Sequence, residues 1–160
     1  MFNRLIDSKL LQFGLLACVL LASPMLQAET KEQKVRISVT EPADGKQCEV
    51  KAAFGGDHDN CSNKKAGGRA DCAADTGCVC TRQEKHITWV MEGKDAFNIV
   101  FDQGNKNPFV KEGSSECNFK SNKKGKLRCR VKGKDTPRGM YNYTIDVAHC
   151  KPLTTRVKIY

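Results

Sequence analysis

Apolar and polar side chains alternate along most of this chain, which is the pattern of β-strands with one buried face. Near the start of the pattern, Val35, Ile37 and Val39 share one face, and the opposite face carries Lys34, Arg36 and Ser38. Five later segments repeat the alternation, at residues 87–91, 97–101, 127–131, 141–147 and 157–159. Turn residues separate them, and none carries a sustained helical stripe. About seven strands at this spacing predict an all-β, two-sheet sandwich.

Residues 55–86 break this alternation. Val79 is the only large apolar residue in the region, where four cysteines stand among Gly, Asn, Asp and Lys. Such a composition cannot bury a core of its own and would be mobile without cross-links. We therefore expect an inserted cysteine-rich loop held by disulfides, each contributing about 2–4 kcal/mol.

The first 28 residues have the features of a signal peptide. Arg4 and Lys9 accompany an apolar run at residues 10–21, and a plausible cleavage site follows Ala28. The run is shorter than the ~20 residues of a membrane span, and we expect no transmembrane segment after signal removal. Residues 29–160 should then form a single exported domain, periplasmic or secreted.

A lipoprotein is the alternative form of export, because the residues up to Cys18 resemble a lipobox. In that case cleavage would fall before Cys18, and the cysteine would carry lipid. Against this alternative, residues 19–22 continue the apolar run where a polar tether would be expected.

An even number of cysteines in an exported chain predicts disulfides in preference to metal ligands or catalytic thiols. The exported part contains Cys48, Cys61, Cys72, Cys78, Cys80, Cys117, Cys129 and Cys150. Their connectivity is open except for one pair. If the turn between Cys117 and Cys129 has an odd number of residues, Phe119 faces Leu127 and both cysteines share the apolar face of a hairpin. This register predicts a Cys117–Cys129 bridge.

Positive charge is concentrated in residues 120–138, which hold nine basic residues and one acid, Asp135. The basic residues are Lys120, Lys123, Lys124, Lys126, Arg128, Arg130, Lys132, Lys134 and Arg138. The rest of residues 29–160 has sixteen basic and sixteen acidic residues and is neutral. A concentrated positive field attracts anionic partners and does little for the fold.

The centre of this stretch is predicted to be a strand with one cationic face. Basic residues at 126, 128, 130 and 132 alternate with apolar ones, so their side chains recur about every 7 Å. This ladder suits an anionic envelope component, an acidic glycan or an acidic protein. Phe119 is the one aromatic residue next to the basic stretch, and it is expected to point inward. Sequence-specific nucleic-acid binding would therefore lack an aromatic side chain on which bases could stack. The alternative is a solvated face whose lysines protect an edge strand from pairing.

Two short blocks resemble the strands around the copper site of cupredoxins. The first is Ile-Thr-Trp-Val at residues 87–90, followed by Phe-Asn-Ile-Val-Phe at 97–101. The second is Gly-Met-Tyr-Asn-Tyr-Thr-Ile at 139–145, similar to the family's Gly-x-Tyr-x-Tyr-x-Cys. With a closing strand at 155–159, the resemblance implies a cupredoxin-like Greek-key sandwich from about residue 35 to 160, apart from the insert.

The copper ligands implied by this resemblance are missing. Phe97 stands at the first histidine position and Ile145 at the cysteine position, and neither side chain has a lone pair to offer. A type 1 copper site needs two imidazoles and a thiolate. His149 lies near a second histidine position, but no methionine follows it. We therefore expect a copper-free member with no cofactor, in which core side chains fill the former metal pocket.

Other functions through the insert compete with binding by the basic stretch. The insert offers possible metal ligands, namely His58, Cys61, Cys72, Cys78 and Cys80, although an oxidising compartment favours disulfides. It offers Arg69 and Arg82 to a trypsin-like protease, as a rigid inhibitor loop would, and it could be a contact surface of a structural protein. Motifs of redox and hydrolytic enzymes are missing from the sequence. We expect a non-catalytic, anion-binding protein.

Overall fold

The computed structural model describes residues 32–42, 44–93, 95–102, 107–110 and 117–160. These residues form an all-β protein with ten strands in two mixed sheets around one core. The strands are β1 (Glu32–Thr40), β2 (Cys48–Phe54), β3 (Val79–Thr81), β4 (His86–Met91), β5 (Phe97–Phe101), β6 (Phe109–Val110), β7 (Lys126–Val131), β8 (Gly139–Val147), β9 (Cys150–Lys151) and β10 (Leu153–Ile159). The signal peptide expected at residues 1–28, and Cys18 with it, lie outside the described residues.

The two sheets differ in how their strands pair. Sheet A has the order β6-β7-β4-β1-β2-β9, in which β1 runs parallel to β4 and antiparallel to β2. Sheet B has the order β3-β10-β8-β5 and is built on the long antiparallel pair of β8 and β10. All six alternating segments of the sequence are strands. The additional strands are short or, like β2, have only two buried positions, here Val50 and Ala52.

The largest buried side chain, that of Trp89, connects the sheets inside the core. Trp89 belongs to β4 of sheet A, and its indole N–H donates to the hydroxyl of Tyr143 on β8 of sheet B, at 3.1 Å. The Trp89 ring also packs edge-on against Phe109 and Tyr143, with ring centroids 5.7 and 5.8 Å away. Burial raises the pKa of Tyr143 far above its ordinary value, so its hydroxyl stays neutral.

The cysteine-rich insert folds against sheet B around a small core of its own. Three single-turn 3-10 helices, Asn60–Ser62, Lys64–Ala66 and Ala70–Cys72, precede β3. β3 contains Val79, the insert's one large apolar residue, and pairs parallel with β10.

No helix in the described part of the chain is long and apolar enough to cross a membrane.

Asp75 attaches the insert to sheet B. Its carboxylate accepts hydrogen bonds from the Thr155 hydroxyl at 2.8 and 2.9 Å and from the Gly77 N–H at 3.0 Å. Arg156 Nε lies 3.5 Å from the same carboxylate. Thr155 lies opposite Tyr143 in the register of β10 with β8, so the bonds of Asp75 lie next to the Trp89–Tyr143 pair in the core.

All eight cysteines of the described residues are in disulfides. The pairs are Cys48–Cys150, Cys61–Cys80, Cys72–Cys78 and Cys117–Cys129. Two bridges lie within the insert, as expected. Each of the other two involves a residue at or beside the edge of a sheet. Disulfides of this number are typical of proteins from oxidising compartments.

The predicted Cys117–Cys129 pair is present, but the hairpin from which it was predicted is wrong. Leu127 lies opposite Trp89 of β4, not opposite Phe119. The segment before β7 borders β5 of the other sheet, and the Phe119 ring packs against Phe101 at 5.3 Å. Both cysteines still point into the shared core, one from each side of the sandwich, so an incorrect register gave the correct pair.

The two neighbouring threonines of β10 provide a test of the network around Asp75. Thr155 is buried, whereas Thr154 is exposed and bonds only to the Thr144 hydroxyl among the described residues. We expect Thr155→Val to lower the free energy of unfolding by ~1–3 kcal/mol, because the partly buried carboxylate of Asp75 loses a donor. Thr154→Val should change it by less than ~0.5 kcal/mol. Urea unfolding monitored by Trp89 fluorescence measures both. Equal effects would show that the network does not stabilise the fold.

Candidate anion-binding face

The cationic ladder predicted for β7 is present in its central part. The inward side chains are those of Leu127, Cys129 and Val131, each no more than 5% exposed. The outward side chains are those of Lys126, Arg128 and Arg130. This alternation follows from the strand period of two, which sends successive side chains to opposite faces of the sheet.

The structure adds two cations that lie far away in the sequence. β4 separates β7 from β1, and the pairing places Thr88 between Lys34 and Arg128 in one row across three strands. In the next row Val90 lies between Arg36 and Lys126. Strands lie about 4.8 Å apart, so the cations in each row are roughly 10 Å apart. Their outward direction follows from the sequence, but nothing in it indicates that β1 lies near β7.

We call Lys34, Arg36, Lys126, Arg128 and Arg130 the basic face. A glycine helps to hold Arg36 within it, because a Cβ at Gly55 would collide with the aliphatic stem of the arginine. The stem therefore lies over the Gly55 backbone, which donates its own N–H to the Lys34 carbonyl at 2.8 Å.

One acid, Glu32, lies beside the basic face. Its carboxylate accepts from Arg128 Nε at 3.3 Å and from the Thr88 hydroxyl. Partial burial raises the pKa of Glu32, but the Thr88 hydrogen bond and the charges of Arg128 and Lys126 outweigh it, and the pKa lies below its ordinary value. Glu32 is 96 residues from Arg128 in the sequence, so no local pattern indicates that the two side chains pair.

The remaining cations of the basic stretch are dispersed. Lys120 lies opposite Asn98 at the edge of sheet B. Lys123 and Lys124 are exposed on the turn that precedes β7. The others, Lys132, Lys134 and Arg138, are exposed beyond the far end of β7. The nine residues therefore form one central group with two flanking groups, not a single continuous patch.

β7 is not the outermost strand of its sheet. Within the described residues, β6 pairs with it at Arg130 and Val131. The positive charge of Arg130 is therefore not explained by a need to protect an unpaired edge strand. The same need does not explain Lys34 and Arg36, because β1 has strands on both sides.

The cysteines and arginines of the insert, which were candidates for metal or protease binding, take part in contacts within the fold. The sulfurs of Cys61, Cys72 and Cys80 lie within 4.8 Å of one another, but each belongs to a disulfide. A metal is bound by thiolates, so coordination here would require prior reduction. Arg69 pairs with Asp59 at 3.0 Å, and the Arg82 guanidinium lies 5.2 Å from the centre of the Tyr160 ring.

The two positions that the resemblance to cupredoxins aligns with the first histidine and the cysteine lie in the apolar core. Phe97 is 2% exposed and Ile145 is fully buried, on the paired strands β5 and β8. His149 is exposed in the turn between β8 and β9. These two apolar side chains pack the sandwich and offer no donor atom to a ligand.

No protein-family model matches this chain, and no curated protein has a significant match to it. The chemistry of the site is therefore the basis for a functional assignment. Five cations on one sheet face, with one acid beside them, can bind several negatively charged groups of an extended partner at once.

Glu32 gives the protein a testable acid sensitivity. Because its pKa is depressed in the folded state, ionised Glu32 stabilises the fold above the ordinary pKa of 4.5. That contribution is lost as the pH falls through the lower folded value. We expect Glu32→Gln to be less stable than the wild type at pH 7, with a smaller difference near pH 3. Urea unfolding at both pH values measures this, with Glu41→Gln as the exposed control. A difference independent of pH would contradict the assignment.

Proposed function

We propose that this protein is an exported, non-catalytic binding protein that holds a polyanion on its basic face. The observation that carries the proposal is the convergence of cations from β1 and β7 on one outer sheet face. Arg128 is the one cation of this face that has an acidic partner among the described residues. The partner is an anionic envelope component, an acidic glycan or an acidic protein.

The spacing of the basic face favours an extended partner over a small ion. Cations recur about every 7 Å along a strand and roughly every 10 Å across strands, so a flexible polyanion meets several of them. The single exposed large apolar side chain among the described residues, that of Val100, belongs to the other sheet. Electrostatic attraction should therefore dominate the binding, and salt should weaken it steeply.

We also propose a compartment and a fold family for this chain. Four disulfides support a periplasmic or secreted location. The two sequence blocks shared with cupredoxins, now found on β4, β5 and β8, support a Greek-key, cupredoxin-like sandwich without copper.

Charge removal from β7 tests the proposed function. We expect the triple variant Lys126→Gln, Arg128→Gln and Arg130→Gln to bind heparin weakly and to lose about 2–3 units from the slope of log K against log salt concentration. Lys46→Gln, Lys64→Gln and Lys65→Gln remove the same net charge elsewhere and serve as the matched control. Titration at several salt concentrations measures the slope. Equal losses in the two variants would mean that net charge, and not the basic face, attracts the polyanion.

Glu32 should limit the affinity of the basic face. Glu32→Gln removes the competing carboxylate from Arg128, and we expect heparin binding to tighten about two- to fivefold. Glu41→Gln changes the net charge equally but leaves the ion pair between Arg128 and Glu32 intact, so it should have a smaller effect. The same heparin titration at low salt compares the two. Weaker binding by Glu32→Gln would show that the carboxylate positions Arg128 for the partner.

A further inference from the structure

A cleft of about 670 Å³ lies beyond the end of β7. The loop between β7 and β8 forms most of its wall, together with Asn107 and Pro108, which precede β6. This volume falls within the ~300–1,000 Å³ typical of small-molecule sites. The basic face adjoins the cleft, because Lys132 continues the alternation of Lys126, Arg128 and Arg130.

The wall combines two cations and a carboxylate. Lys132 and Arg138 line the cleft from the two ends of the loop, and Asp135 lies between them in the chain. All three residues are exposed, and neither cation has an ion pair within the described residues.

Hydrogen bonds hold the loop in place without involving the side chains of Lys132, Asp135 or Arg138. The Thr136 N–H donates to the Gly133 carbonyl at 3.0 Å, and the Thr136 carbonyl accepts from Gln83 Nε2 at 3.0 Å. Tyr141 donates its hydroxyl to the Pro137 carbonyl at 2.6 Å. The cleft is therefore largely preformed, which lowers the entropic cost of binding.

We propose that this cleft binds one sugar unit that carries a sulfate, phosphate or carboxylate group. Lys132 and Arg138 hold the anionic group. Asp135 accepts hydrogen bonds from sugar hydroxyls. Pro108, Pro137 and Met140 provide the apolar wall for the C–H face of the sugar ring. The inference rests on the proposed function and makes an acidic glycan the polyanion, with its chain continuing onto the basic face.

The presence of Asp135 is what favours a sugar over a simpler anion. A carboxylate repels inorganic phosphate or an acidic peptide side chain, and it can accept hydrogen bonds from the hydroxyl groups of a ligand. A sugar acid offers hydroxyl donors, an anionic group and an apolar ring face together.

Isothermal titration with a sulfated heparin disaccharide tests the cleft. We expect the wild type to bind it, and Lys132→Gln and Arg138→Gln each to weaken binding about tenfold or more, because each loses a charge-assisted hydrogen bond. Asp135→Asn should weaken the disaccharide and strengthen inorganic sulfate. The control variant Lys46→Gln, Lys64→Gln and Lys65→Gln should retain disaccharide binding.

The outcomes separate the cleft from the basic face. Binding of long heparin without binding of the disaccharide would overturn the cleft and leave the proposed function intact. Failure of both ligands to bind the wild type would overturn both proposals. Inorganic sulfate or tri-glutamate binding as tightly as the disaccharide would overturn the sugar assignment. A neutral disaccharide of the same size should not bind, and tight binding by it would overturn the role of the two cations.

Discussion

A polar network of two adjacent hydrogen-bonded pairs joins the three parts of this molecule. Trp89 of sheet A donates to Tyr143 of sheet B, and Thr155, which lies opposite Tyr143 on β10, donates to Asp75 of the insert. Each of these polar groups would be costly to bury alone, and each is satisfied only when the sheets and the insert take one relative position. The network therefore specifies how the layers meet, which apolar contacts alone define less sharply.

The disulfides complement this network at the periphery. The insert has one large apolar side chain and a core made largely of cysteine, so cross-links replace the burial that it lacks. Cys117–Cys129 acts at the opposite side, where the chain leaves the edge of sheet B and enters sheet A as β7. This bridge attaches β7 to the core through Cys129, the fourth of its six residues, and leaves the charged side chains of β7 at the surface.

The basic face shows how a surface property can arise from strand order. Lys34 and Arg36 belong to a part of the chain that is neutral overall, and Arg128 and Lys126 belong to the basic stretch. The parallel pairing of β1 with β4 brings the two groups onto one surface, and it brings Glu32 there as well. The same pairing thus adds two cations that attract a polyanion. It also adds the Glu32 carboxylate, which weakens that attraction. Local charge density along the sequence describes neither effect.

The sequence by itself determined the strands with clean alternation, the outward direction of the β7 cations and the disulfide-held insert. These are local properties, since a period of two and a shortage of apolar residues can be read within a few residues. It missed β2, whose inward positions include Ala52, and the strands of two or three residues, whose pairing comes from their neighbours. Only the tertiary structure decided that Leu127 faces Trp89, that Glu32 reaches Arg128 and that Lys132 and Arg138 line one cleft. Each of these contacts joins residues through strand order or chain crossover, and their energies depend on the whole sheet rather than on any local pattern.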